Sequence, residues 1–321
     1  MRPNKDKPVT VRAIHPNVGV RRWYEAELIA FVNVMHEDVR AAVLGAYSAI
    51  EPAEFAHDTR SVFHPLRVDA AGNFACWYPD MATDADPPNS SLFIRRALTR
   101  IGKKWTLKIE KLSLELSRKF VRKAFGVTQI QMKAAFKDAG FTVKFDPTPG
   151  SIAAYQAVAA EQVNLIRSIP AQYLKDVQTK VWASVMKGGD MHALSVDLRE
   201  TYGITRERAA LIAGDQNAKA KATIERTRRQ EIGVTHAIWM HSAGGKVPRK
   251  THVKMDGKAY LISAGMWDSD EGAYVLPGEL INCRCTSKAV LPAVDNVAEA
   301  VARAKASRPR GLLESALARA R

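Results

Sequence analysis

The sequence predicts a mainly α N-terminal body followed by a small α+β, strand-containing C-terminal module. Three observations predict it. Apolar residues recur at three- and four-residue steps from about residue 20 to 233. From 234 to 292 the pattern changes to short β-type runs separated by Gly-, Pro- and Asp-rich turns. The 321 residues are 46% hydrophobic and 25% charged, a composition that supports a packed core and excludes wholesale disorder.

Along the chain, Leu28, Phe31, Val32, Met35, Val39, Val43 and Tyr47 predict a first helix over 25–50. Residues 51–91 carry Pro52, Pro65, Pro79, Pro87 and Pro88 among many acids and read as a long loop or arm. Ile94, Leu98, Ile101, Trp105, Ile109, Leu112, Leu116, Phe120 and Ala124 form the strongest helical period, with Gly126 as its expected stop. Thr128 is the expected cap of a short helix ending at Gly140. Ser151 is the expected cap of the next run, after the Pro-Thr-Pro-Gly break at 147–150. Pro170 is expected in the first turn of a further helix ending at Gly188-Gly189, and Thr205 as the cap of one ending at Gly233. Strands are expected at His236 to His241, Tyr260 to Ile262 and Arg284 to Leu291, with Asp256-Gly257 as a turn between short strands. These boundaries divide the chain into an N-terminal helix and Pro-rich arm (1–91), a helical body (92–233), the α+β module (234–292) and an Ala/Arg-rich tail (293–321) with a short helix over Leu312 to Ala320.

The net charge of +15 points to a polyanionic partner, nucleic acid first. It is a local property. Residues 1–94 hold nine Lys and Arg against twelve Asp and Glu, whereas 95–146 hold fourteen against four. Arg95, Arg96, Lys103, Lys104, Lys108, Lys111, Arg118, Lys119, Arg122 and Lys123 surround the apolar stripe of the long helix and are the candidate DNA-binding residues; a solvated helix face is the plainer reading. No base-reading motif accompanies them, so any contact with DNA is expected to be non-specific. No run of 18 apolar residues suggests a membrane span, and the N-terminal basic residues lack an apolar stretch like that of a secretory signal. Cys76, Cys283 and Cys285 are too few and too unevenly placed for a disulfide framework, so a reducing, cytoplasmic compartment of synthesis is expected.

Chemistry-bearing residues gather in the C-terminal module. His241 and His252 flank HSAGGKVPRKTH, and Cys283 and Cys285 flank Arg284. Imidazole and thiolate are the donor set of a tetrahedral zinc site, and a small module gains from such a staple. Cys-x-Cys is tighter than the usual structural spacing, and two reduced, buried cysteines packed as small hydrophobes are the alternative. A metal-dependent nuclease with His252 as base is a further alternative, against which Asp256-Gly257 reads as an ordinary turn. Phosphate-loop, dinucleotide, nucleophile-elbow and HExxH motifs are absent from the sequence, so no catalytic residue is assigned. Gly244-Gly245-Lys246 reads as a flexible turn.

From SIPAQYLKDVQTKVWASVMKGGD through the IAGDQNAK stretch to LPGELINCRCTSKAVLP, about residues 165–292, the sequence resembles the phage head morphogenesis family, the minor head proteins similar to protein F of phage Mu. The residues that carry the resemblance are Arg208, Asp215, Gln216, Asn217, Trp239, Pro248, Arg249, His252, Asp256, Gly257, Asn282, Cys283, Arg284 and Cys285. This sequence departs from the family pattern at Gly214, where a basic residue is expected, and at Gly244 to Lys246, where many relatives carry an Asp. The resemblance implies a non-enzymatic virion component acting at or near the portal vertex in head morphogenesis. It implies the portal protein, other head proteins and packaged double-stranded DNA as partners, and no membrane.

Overall fold

A computed structural model describes residues 9–49, 67–68, 74–75, 89–187, 189–242 and 247–291. The elements are β1 (Val9–Val11), α1 (Val18–Ser48), β2 (Arg67–Val68), β3 (Phe74–Ala75), α2 (Asn89–Asp138), α3 (Pro149–Met186), α4 (Met191–Glu231), β4 (His236–Met240), α5 (Lys250–Met255), β5 (Ala259–Leu261), β6 (Met266–Asp268), β7 (Ala273–Val275) and β8 (Thr286–Leu291). The expected fold class, helical first and strand-containing at the end, is the one observed. Apart from β2 and β3, which pair with each other, the arm expected at 51–91 lies outside the described residues up to the start of α2. So do Cys76, Gly244 to Lys246 and the tail with its expected helix. No helix among the described residues is long and apolar enough to cross a membrane.

Helices expected as separate pieces are continuous. Gly126 and Thr128 lie inside α2 rather than ending one helix and capping another. An interior glycine costs about 1 kcal/mol against alanine, and buried Val121, Ala124, Met132 and Ala135 hold the helix on both sides of it. Pro170 lies inside α3, not in a first turn; burial of Ile169, Tyr173 and Val177 offsets the hydrogen bond that a proline removes. Thr205 is interior to α4 and turns its hydroxyl back to the Thr201 carbonyl at 2.8 Å instead of capping.

The true caps lie elsewhere. Thr148 starts α3: its hydroxyl accepts the Ser151 N–H at 3.1 Å while Ser151 Oγ accepts the Thr148 N–H at 2.9 Å, so Ser151 is the reciprocal partner and Pro149 takes the first helical position. Asp190 starts α4 by accepting the N–H groups of His192 and Ala193. Gly140 and Gly233 end α2 and α4 as expected. Each has positive φ, and the residue after it donates to the carbonyl five back, Phe141 to Phe136 and Val234 to Arg229, both at 2.9 Å.

The described residues fall into two compact units, those within 26–115 and 163–210 and those within 9–25, 116–162 and 211–291. Each long helix contributes to both, so compactness does not follow the segment boundaries at 91/92 and 233/234. In the first unit the apolar stripes of the helices meet around Leu28, Met35, Trp105, Ile166, Tyr173 and Val177. Phe31 meets Trp105 edge-on at 5.6 Å.

The second unit contains a four-stranded antiparallel sheet in the order β1-β8-β4-β5. Its core includes Phe136, Trp239, Met255, Tyr260, Ala289 and Leu291. The three expected strands are β4 and β8, slightly trimmed, and β5, which begins and ends one residue earlier than expected. Three features of this unit were not expected: β1, which pairs Val9 with Leu291, the β6–β7 hairpin and the short helix α5. Asp256-Gly257 follows the short helix α5 instead of joining two strands.

Candidate metal centre

The register of β4 on β8 pairs Met240 with Thr286 and brings the ends carrying His241 and Cys285 alongside each other. Cys283 and Cys285 are not on a strand; they lie in the turn that enters β8. Asn282 takes positive φ there, and its N–H is held at 2.7 Å by the Asp215 carboxylate of α4. Helix α5 brings His252 in from the other side, packed edge-on against Trp239 at 5.1 Å.

The result is a buried group of His252, Cys283 and Cys285, whose ligand atoms all lie within 4.8 Å of one another. Their exposures are 2%, 4% and 7%. His252 Nδ1 is 3.5 Å from Cys283 Sγ and 3.6 Å from Cys285 Sγ. Nε2 lies 3.1 Å from Asp268 Oδ2, a close contact without hydrogen-bond geometry. His241 is not in the group; it lines the small cavity beside it, and its N–H is held by Asp256 at 2.8 Å.

The electrostatics favour a thiolate on one sulfur. Cys283 is brought down to about 4, first by the hydrogen bond from the Cys285 thiol and, against the opposing effect of burial, by His252 and the N–H groups of Cys285 and Gly278. Donation to Cys283, burial and the Cys283 charge push Cys285 up. His252 is raised chiefly by its bond with Cys283, with burial opposing. Burial would raise Asp268, but the N–H groups of Asp270 and Glu271, the Thr251 hydroxyl and His252 outweigh it and lower its pKa. Nδ1 of His252 thus faces two sulfurs and Nε2 faces Asp268.

Asp268, Thr251 and Gly278 complete the surroundings and were not singled out from the sequence. Asp268 lies in a Trp-Asp-Ser-Asp run that reads as an ordinary turn, and nothing local marks it as a partner of His252.

Residues 175–288 match the family model described as Phage Mu protein F like protein. This stretch is Mu F-like. A protein of Haemophilus influenzae described as uncharacterized is 31% identical over 140 residues, which is 44% of this chain and 29% of that protein. The chain thus matches less than a third of that relative's length. No solved structure matches.

Most of the residues that carry the Mu F-like resemblance support this centre. Arg249 donates to the Ile281 carbonyl at 3.1 Å, just ahead of the cysteine turn. The Gly257 N–H donates to the Trp239 carbonyl at 2.9 Å. Pro248 and Arg284 line the cavity. Gln216 bonds Gln162 and Glu161, and Asn217 donates to the Asn17 carbonyl. At Gly214, where a basic residue was expected, a Cβ would lie 3.5 Å from Nε of Arg21, so α1 supplies a guanidinium at that place. Arg208 is in the other unit, where it donates to Ser168 Oγ at 3.0 Å.

All ten candidate DNA-binding cations on α2 are exposed. Lys104 is paired with Asp38 at 2.6 Å, while Lys108 and Lys123 lie over the rings of Trp105 and Trp23. For Arg95, Arg96, Lys103, Lys111, Arg118, Lys119 and Arg122 no carboxylate lies within ion-pair reach among the described residues.

Proposed function

We propose that the protein is a structural, non-catalytic component of a tailed-phage head, acting in head morphogenesis at or near the portal vertex. It would meet the portal protein, other head proteins and packaged double-stranded DNA. The observation that carries this reading is the Mu F-like match over residues 175–288. The exposed cations of α2 support the DNA contact: side chains of this kind neutralise phosphates without reading bases. The test is quantitative mass spectrometry of purified procapsids and mature heads, with and without a nonsense mutation in the coding sequence. The protein is expected in few copies per head, and its loss is expected to lower the yield of DNA-filled heads. Absence from both particles overturns the reading.

A further inference from the structure

His252, Cys283 and Cys285 bring three donor atoms to within 4.8 Å of one another in a buried place. Nδ1 sits at nearly equal distance from two sulfurs, 3.5 and 3.6 Å. An imidazole nitrogen offers one proton or one lone pair, so it makes one good hydrogen bond and not two equivalent ones. A metal ion explains the symmetry. With Zn–S of about 2.3 Å and Zn–N of about 2.0 Å at a tetrahedral angle, nitrogen and sulfur ligands stand about 3.5 Å apart.

We propose that His252, Cys283 and Cys285 bind one zinc ion, which ties α5 to the turn entering β8. Two thiolates and an imidazole suit a borderline-soft cation and disfavour magnesium or calcium, which take oxygen ligands. Gly278 already directs its N–H to Cys283 Sγ at 3.4 Å. Asp268 stands behind the ring at Nε2, in the place from which a carboxylate orients a metal-bound histidine. The three donors line a cavity of about 50 Å³ with His241 and Arg249, room for one small fourth ligand such as water. The ion would join segments 31 residues apart in sequence and contribute directly to the stability of the sheet-containing unit.

The experiment uses the full chain, purified under reducing conditions without chelator. Elemental analysis is expected to find one zinc per chain, and cobalt(II) added to the metal-free chain is expected to give thiolate-to-cobalt charge-transfer bands of a tetrahedral site. Cys283→Ser, Cys285→Ser and His252→Ala are each expected to lose the metal. Asp268→Asn is expected to keep the cobalt bands but weaken affinity about ten- to hundred-fold, a change that a merely structural role for Asp268 would not produce. Should the cysteine variants fail to fold, the wild-type cobalt spectrum still decides. A wild-type chain without zinc that gives no charge-transfer bands with cobalt overturns the proposal, and so does metal retained by a folded double-serine variant. None of these outcomes bears on whether the protein is found in heads.

Discussion

His36 is 4% exposed, with its ring against Tyr202 at 4.3 Å and Nδ1 2.8 Å from the Tyr173 hydroxyl. Its pKa is lowered, first by burial and also by Arg40, with Glu37 opposing. The unfolded chain therefore holds this proton more tightly than the folded one. The resulting stability is present above the unfolded value of about 6.5 and is lost as pH falls below it toward the folded pKa. Urea melts at pH 7.5 and pH 5 are expected to show a loss of stability that is smaller in His36→Gln. Equal losses in the two proteins would remove His36 as the cause. Gly278 is the other residue with a sharp expectation. Its φ is +82°, and an added Cβ would approach Ala222 Cβ at 3.0 Å. Gly278→Ala is expected to cost about 1–3 kcal/mol, measured by denaturant melts.

Among the elements, α4 is joined to β8 by buried charge. Lys221 and Glu225 pair at 2.5 Å, Glu225 also pairs with Arg229, and Arg229 donates to Ser287 Oγ at 2.7 Å and to the Ser287 carbonyl at 3.0 Å. All three charged residues are 3–4% exposed. Glu225→Gln leaves two buried cations sharing no carboxylate and is expected to destabilise the protein by about 3–5 kcal/mol in a denaturant melt. At the start of α3, Thr148→Ala removes a cap and is expected to cost about 0.5–2 kcal/mol. Element boundaries were also where sequence and structure parted. Gly126, Pro170 and Thr205 are ordinary stop and cap signals locally. They were overridden because a break there would expose apolar positions of the same stripe on either side, among them Val121 and Met132, Ile169 and Tyr173, and Leu198 and Ala209.

For the whole molecule, the test of the proposed DNA contact is charge reversal of Lys103, Lys111, Arg118 and Lys119 to Glu. Lys104 is left alone because its pair with Asp38 would confuse the result. The variant is expected to lose DNA retention, and the fall of the binding constant with salt is expected to become shallower. Unchanged retention and slope would assign the basic face to a protein partner or to solvent. The helical body, the change to short strands near residue 234 and the donor chemistry of His252 and the two cysteines were legible in the chain, because hydrophobic period and residue type are read directly from the sequence. Other relations arose only on folding. Val9 finds Leu291 across the sheet, Asp215 holds Asn282, and Asp268 stands behind His252 while His241 falls outside the ligand group. Each joins residues whose own surroundings do not mark them as partners, because which distant backbone or charge they meet is set by the packing of whole elements and not by spacing along the chain.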